Sequence, residues 1–141
     1  MAIFALKQTV YFYHNLDTPV YMCFLDAKNA FDRVNRWTLA KKLVDRNVSL
    51  HIVKLFIFWY REQEFMVRWG NSLSMTLHCS NGIRQGGQLS PLLYNVHSDD
   101  LNHHLQATGG GCFVGGVFVN SLSYAEDIVL LTPTVTALQT Q

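Results

Sequence analysis

Two short apolar runs ending or beginning on acids, about 100 residues apart, constrain this chain more than any other feature. Pro19 precedes Val20-Tyr21-Met22-Cys23-Phe24-Leu25, a run rich in strand formers that ends on Asp26. Much later, Tyr124-Ala125-Glu126-Asp127 leads into Ile128-Val129-Leu130-Leu131. A buried strand excludes an unpaired carboxylate because desolvating the charge is costly, whereas an acid at a strand tip reaches solvent or a cation. One such acid reads as a turn or cap residue. Two such clusters leave that reading open beside a second one, a shared divalent-metal site. Mg²⁺ takes few carboxylates plus substrate phosphates, and two such ions can clamp the attacking and leaving oxygens of a phosphoryl displacement.

The pattern between the clusters predicts a mixed α+β domain. Asp32 to Arg46 has helical spacing, with Leu39, Ala40, Leu43 and Val44 on one side. Ser49 is placed to cap a second helix through Tyr60, apolar nearly all round and so expected to be buried. Phe65–Trp69 and Leu73–Cys79 flank Gly70-Asn71-Ser72 as a hairpin, in which Trp69 is expected to pack; Trp59 is expected as core. Ser90-Pro91 opens a helix to about Gln106, which Gly109-Gly110-Gly111 breaks. Short strands are expected at Cys112–Val119, Leu122–Tyr124 and Ile128–Leu131, with turns at Asn120-Ser121 and Ala125-Glu126. Helices on one face of a small antiparallel sheet accommodate this order, and nothing in the sequence marks an internal domain boundary.

Composition narrows the function classes. The chain has 141 residues, one domain's worth, and its 49% apolar content suffices for one core. The longest apolar stretches, around 52–60 and 128–131, are too short to span a bilayer. The start Met1-Ala2-Ile3-Phe4 lacks the basic opening of a secretion signal, so an intracellular location is expected. Cys23, Cys79 and Cys112 are too far apart for a zinc knuckle and read as small buried thiols. Net charge is only +1, yet ten of the eleven basic residues lie between Lys7 and Arg68, while the last third carries Asp99, Asp100, Glu126 and Asp127. Asp99 and Asp100, like His103 and His104, diverge by about 100° on a helix and read as solvated surface.

Three segments carry a resemblance to a known family. Phe24-Leu25-Asp26-Ala27-Lys28-Asn29-Ala30-Phe31-Asp32-Arg33-Val34 resembles motif A of the reverse transcriptases of LINE-type (non-LTR) retrotransposons. Asn81-Gly82-Ile83-Arg84-Gln85-Gly86-Gly87-Gln88-Leu89-Ser90-Pro91-Leu92-Leu93-Tyr94-Asn95 is similar to motif B, and Tyr124–Leu131 to motif C, the Tyr-Ala-Asp-Asp box with its strand. The three occur in the family's order, and with the helices and hairpin between them the resemblance runs from about residue 18 to 131. The resemblance implies a polymerase palm-like antiparallel sheet with helices on one face and part of the fingers, in a single partial domain over 1–141. It implies an RNA-directed DNA polymerase using Mg²⁺, or Mn²⁺, on an RNA template, a DNA primer and deoxynucleoside triphosphates.

Roles follow residue by residue from that resemblance. Asp26, Glu126 and Asp127 would hold the metal ions. The backbone at Ala27 would approach the nucleotide's phosphates, and Phe31 would act as a gate against a 2′-hydroxyl. Gln85 and Gly86 would line the nascent base pair, Arg84 would meet phosphate, and Tyr124 would support the primer terminus.

The chain also departs from the family. Glu126 stands where the family has Asp; its extra methylene displaces the carboxylate by about 1 Å, a shift that can cost on the order of 100-fold in rate. Asp127 is expected to point elsewhere across the turn and not to replace it. Lys28, Asn29, Gln88, His97 and Ser98 are lesser departures. The sequence runs from just upstream of motif A to soon after motif C, so the family's upstream fingers, later palm elements, thumb and endonuclease are expected to lie outside it. Two functional expectations stand: a reverse transcriptase domain impaired at Glu126, and a non-catalytic retrotransposon remnant that at most binds nucleic acid or protein. A two-metal nuclease or phosphatase on another fold leaves the Arg84-Gln85-Gly86 and Leu89-Ser90-Pro91 segments unexplained.

Overall fold

The computed structural model describes residues 2–141. The chain divides into two compact units, one made of residues 1–28 with 98–141 and the other of residues 29–97. The first unit is assembled from both ends of the chain, so no single boundary in the sequence announces the division.

The first unit is built on a three-stranded antiparallel sheet. β1 (Tyr21–Asp26) pairs with β9 (Asp127–Thr132), and β9 pairs with β8 (Ser121–Tyr124), giving the order β1-β9-β8. Alternation sends Val129 and Leu131 of β9 and Leu122 of β8 to one face, where they pack with Cys112 and Val119. Helix α1 (Ala2–Asn15) closes that core with Leu6 and Tyr13, and the Tyr13 hydroxyl accepts from the Phe113 amide at 2.9 Å. The sequence reading assigned no element to this N-terminal segment. Leu131 is wholly buried, a contribution of about 1.5–3 kcal/mol. The single strand expected over 112–119 is instead a hairpin of β6 (Cys112–Val114) and β7 (Val117–Val119). Gly115 and Gly116 turn it, both with positive φ, a backbone that residues with a Cβ resist. Helix α5 (Val135–Gln139) follows β9, with the Thr134 hydroxyl accepting from the Ala137 amide.

Burial pushes the Cys112 thiol above the usual range, an effect partly offset by its hydrogen bond with Tyr13. It is therefore the inert buried thiol expected, whereas Cys23 and Cys79, for which the same was expected, are only half-buried.

The second unit opens with a 3₁₀ turn, Phe31–Arg33, then α2 (Arg36–Asp45) and α3 (Leu50–Arg61). The expected helix start at Asp32 is corrected to Arg36. Asn35 adopts extended backbone and its side chain accepts from the amides of Trp37 and Thr38, which fixes the start. Leu39, Ala40 and Leu43 are buried as expected, but Val44 is exposed. The expectation of a fully buried α3 fails: only Val53 and Phe56 are buried, and Leu50, Ile52, Leu55, Phe58 and Trp59 are exposed. Ser49 precedes α3 without a side-chain cap bond.

The expected hairpin forms as two short ladders. β2 (Glu64–Phe65) pairs with β5 (Leu77–His78), and β3 (Arg68–Trp69) with β4 (Ser72–Leu73) around Gly70-Asn71. Trp69 does not pack there; it is 86% exposed. Helix α4 (Ser90–Ala107) starts at Ser90 as expected and ends one residue beyond Gln106. Among the described residues, no helix is long and apolar enough to cross a membrane.

Candidate active site

The β1–β9–β8 ladder aligns three of the residues singled out from sequence. Asp26 of β1 is the direct partner of Asp127 on β9, and Asp127 is the partner of Tyr124 on β8. Residues directly opposite in an antiparallel pair point to the same face, so the two carboxylates and the phenol form one row across the sheet. All three are exposed. Two like charges directly opposite destabilise a ladder, unless a cation lies between them.

The row ends the sheet because the chain turns there. Tyr124 and Asp127 close a two-residue hairpin on Ala125 and Glu126. Ala125 is buried with a left-handed φ of 51°, a conformation costing a non-glycine residue about 1–2 kcal/mol. Such strain is held at a turn only when both flanking strands impose it. Glu126, half-buried, occupies the turn itself. The ladder thus corrects one sequence expectation: Asp127 is not turned away but stands opposite Asp26. The row borders a cleft of about 300 Å³ whose apolar walls include Ile3, Leu6, Phe24 and Leu122.

The donor set can be tested against the ion that the resemblance implies. Among the described residues, no three His, Cys, Asp or Glu side chains converge to hold one metal ion. That arrangement does not make the all-protein cage of a structural zinc or calcium site. It fits Mg²⁺, which keeps water and substrate phosphates as ligands and needs only one or two carboxylates. Asp26 and Asp127 meet that requirement.

The remaining sequence candidates lie elsewhere. Ala27 follows Asp26 and is exposed. Phe31, Arg84, Gln85 and Gly86 belong to the second unit, and there the structure joins them. The Phe31 carbonyl accepts from the Ile83 amide at 2.9 Å and the Val34 carbonyl from the Gly82 amide at 3.0 Å. The Phe31 ring is buried, 5.2 Å from that of Tyr94. Arg84, Gln85 and Gly86 form an exposed turn; the Arg84 carbonyl accepts from the Gly87 amide and the Ser90 hydroxyl, so its backbone is fixed while its side chain stays in solvent. Gly86 has a φ of 79° and open space where a Cβ would stand, which leaves its backbone approachable.

Arg36 was not singled out from sequence. Its guanidinium donates to the carbonyls of Gly82 at 2.7 Å, Cys79 at 2.7 Å, Tyr60 at 2.8 Å and Asn81 at 3.1 Å, and lies 5.2 Å from the Tyr60 ring centre. It therefore ties the start of α2 to the end of α3 and to the segment leading into the Arg84 turn. One basic residue among ten others carries no local signal of such a role. On α4, His103 pairs with Asp99 one turn away at 3.3 Å, a surface contact rather than a ligand pair.

Comparison with known proteins agrees with the geometry. Residues 3–141 match the reverse transcriptase (RNA-dependent DNA polymerase) family. The chain is 29% identical over 120 residues to the retrovirus-related Pol polyprotein of the type-1 retrotransposable element R2 of Nasonia vitripennis, covering 85% of this chain and 12% of the relative. It is 31% identical over 110 residues to the RNA-directed DNA polymerase of the mobile element jockey of Drosophila funebris, covering 78% and 12%. The chain thus spans about one eighth of these relatives' length. Apo telomerase of Candida tropicalis, truncated from its C-terminal domain, shares the fold with a TM-score of 0.64 at 16% identity, over 99% of this chain and 29% of that one. The α+β, palm-like polymerase architecture expected from sequence is the one observed. With family match, ordered motifs and fold in agreement, the chain belongs to the reverse transcriptase (RNA-dependent DNA polymerase) family, among those of non-LTR retrotransposons.

Proposed function

We propose that the chain is a partial reverse transcriptase domain, containing motifs A to C of the palm and part of the fingers, whose acid row serves two-metal nucleotidyl transfer. The observation that carries this reading is the register of Asp26 with Asp127 beside Tyr124. The template is RNA, the primer DNA and the substrate a deoxynucleoside triphosphate, in an intracellular setting. Divalent Mg²⁺, replaceable by Mn²⁺, supplies charge that neutralises phosphoryl oxygens during in-line displacement.

The chain's own residues bind and orient. Asp26 and Asp127 present paired carboxylates whose mutual repulsion a cation relieves. Tyr124, in the same row, supports the primer-terminal nucleotide. The Ala27 backbone approaches the triphosphate, Arg84 meets phosphate from its anchored turn, and Gln85 and Gly86 line the base pair. Phe31 acts as the gate against a 2′-hydroxyl, its ring held by Tyr94. Glu126 weakens the site: in a two-residue turn with fixed backbone, an extra methylene cannot be taken up by the flanking strands.

Two measurements test this. Mn²⁺ titration followed by electron paramagnetic resonance, without nucleic acid, should show Asp26→Asn and Asp127→Asn each weakening Mn²⁺ by about 10-fold or more, since even groups behind the ligands are worth 10–100-fold. Unchanged affinity in both variants ends the metal reading. Primer extension on poly(rA)/oligo(dT) should be near background for the chain as written and rise on the order of 100-fold in Glu126→Asp. Equal activity of the two removes the impairment. A second reading, a non-catalytic remnant acting as an interaction module, is favoured by Glu126 itself and is supported if neither chain extends a primer.

A further inference from the structure

The charge of the chain is divided between its two units. Residues 29–97 hold nine Lys and Arg against four Asp and Glu, a net +5, while the remainder holds two against six, a net −4. All three tryptophans lie in the cationic unit, and each is more than half exposed. Trp69 is the most exposed large apolar side chain among those described, at 86%.

We propose that Trp69 and Arg68, at the tip of the β3–β4 hairpin, form a stacking platform for single-stranded nucleic acid, an unpaired base lying on the indole and a flanking phosphate on the guanidinium. The inference rests on the nucleic-acid reading of the family and assigns it a contact that none of the three motifs contains.

Three observations carry it. First, the tip is stiff. Trp69 and Ser72 close a two-residue turn in which Gly70 takes a left-handed φ of 58°. Below it, the Val67 amide donates to the Ser74 hydroxyl, and the Ser74 amide donates to the Val67 carbonyl, each at 2.9 Å. A ring offered from a fixed tip loses little freedom on contact. Second, Arg68 is available. Its Nε donates at 3.2 Å to the carbonyl of Gly70 within its own turn, and among the described residues no carboxylate pairs with it. Third, the unit that carries the tip has a net charge of +5, and the acids nearest to it in sequence, Glu62 and Glu64, face Arg61 at 3.7 Å and His78 at 3.4 Å, which favours an anionic ligand. A protein partner of apolar character gains nothing from a +5 unit, and two copies meeting through this same unit repel each other. A duplex hides its base faces, whereas a single strand shows bases and phosphates together, matching an indole beside a guanidinium.

The test uses the whole chain and a 5′-labelled oligo(rA) of about 20 nucleotides, with anisotropy read across a salt series. Trp69→Ala should weaken binding about 5- to 150-fold, with little change in salt dependence, because base stacking is lost and phosphate contacts stay. Trp69→Phe should recover most of the affinity, and it tests the same claim if the alanine variant folds poorly. Arg68→Ala should flatten the slope of log K against log salt by about one unit. Trp37→Ala, also exposed and in the same unit, should bind like the parent. Binding by Trp69→Ala within twofold of the parent overturns the proposal, as does loss of self-association rather than of RNA binding in that variant. Absence of RNA binding by the parent overturns it too, and the Mn²⁺ titration, which contains no nucleic acid, shows separately whether the acid row stands.

Discussion

Arg36→Met is expected to destabilise residues 29–97 by about 3–5 kcal/mol. Four carbonyls accept from this one guanidinium, and a bond to a charged donor contributes about 1.5–3 kcal/mol. The half-buried setting of Arg36 and the exposure of Asn81 reduce the sum, because a freed carbonyl at the surface can be met by water. A loss of 3–5 kcal/mol is still a large part of the 5–15 kcal/mol that holds a typical domain together. Arg36→Lys should recover less than half. An ammonium cannot reach four carbonyls on two separate segments as a planar fork does, and it stacks less well on Tyr60. Hydrogen exchange resolved by peptide is the measurement: amides of α2 and α3 should lose protection in the methionine variant while those of β9 change less. Loss below about 0.5 kcal/mol, the range of an ordinary surface substitution, contradicts the network role.

Gly82→Ala should be as damaging, by about 3–5 kcal/mol, through a different cause. Gly82 has a φ of 79°, and a Cβ there would stand 2.7 Å from the Asp32 Cα and 2.8 Å from the carbonyl oxygens of Asp32 and Phe31. All three obstacles are backbone, so no side-chain rotation relieves them. The left-handed conformation adds about 1–2 kcal/mol and overpacking about 1–3. Displacing the segment also strains the Gly82–Val34 and Ile83–Phe31 hydrogen bonds and the Arg36 contact. Urea unfolding followed by circular dichroism should give a lower midpoint with little change in slope. Because Arg36 and Gly82 share a hydrogen bond, the double variant should lose less than the sum of the two. A midpoint equal to the parent's would show that the 3₁₀ turn at 31–33 can move aside.

What the sequence disclosed and what it withheld follow different physics. Strand ends, the Ser90 start of α4 and the Gly70-Asn71 turn were legible because each rests on local chemistry: strand formers, a serine before proline, a residue free to take positive φ. The acid row was legible as two clusters, but its register was not. Pairing Asp26 with Asp127 rather than Glu126 depends on how many residues the turn consumes, and Ala125 in a left-handed conformation has no signature in its own side chain. α3 was misjudged because an apolar sequence predicts burial only where something covers it. Leu55, Phe58 and Trp59 face outward, although their composition is that of a core. Arg36 was invisible because its partners are carbonyls, which every residue has.

The acid row has one more consequence, in time rather than in space. Asp26 and Asp127 are 101 positions apart, and the whole of residues 29–97 lies between them. Bringing such distant strands together requires closing a very long loop before any pairing rewards it, so β1 waits alone while helices that need only near neighbours form. On a ribosome adding about 5–20 residues per second, that wait lasts several seconds. The carboxylate pair is therefore among the last features of this chain to exist, and no nascent chain that has yet to release β9 can possess it.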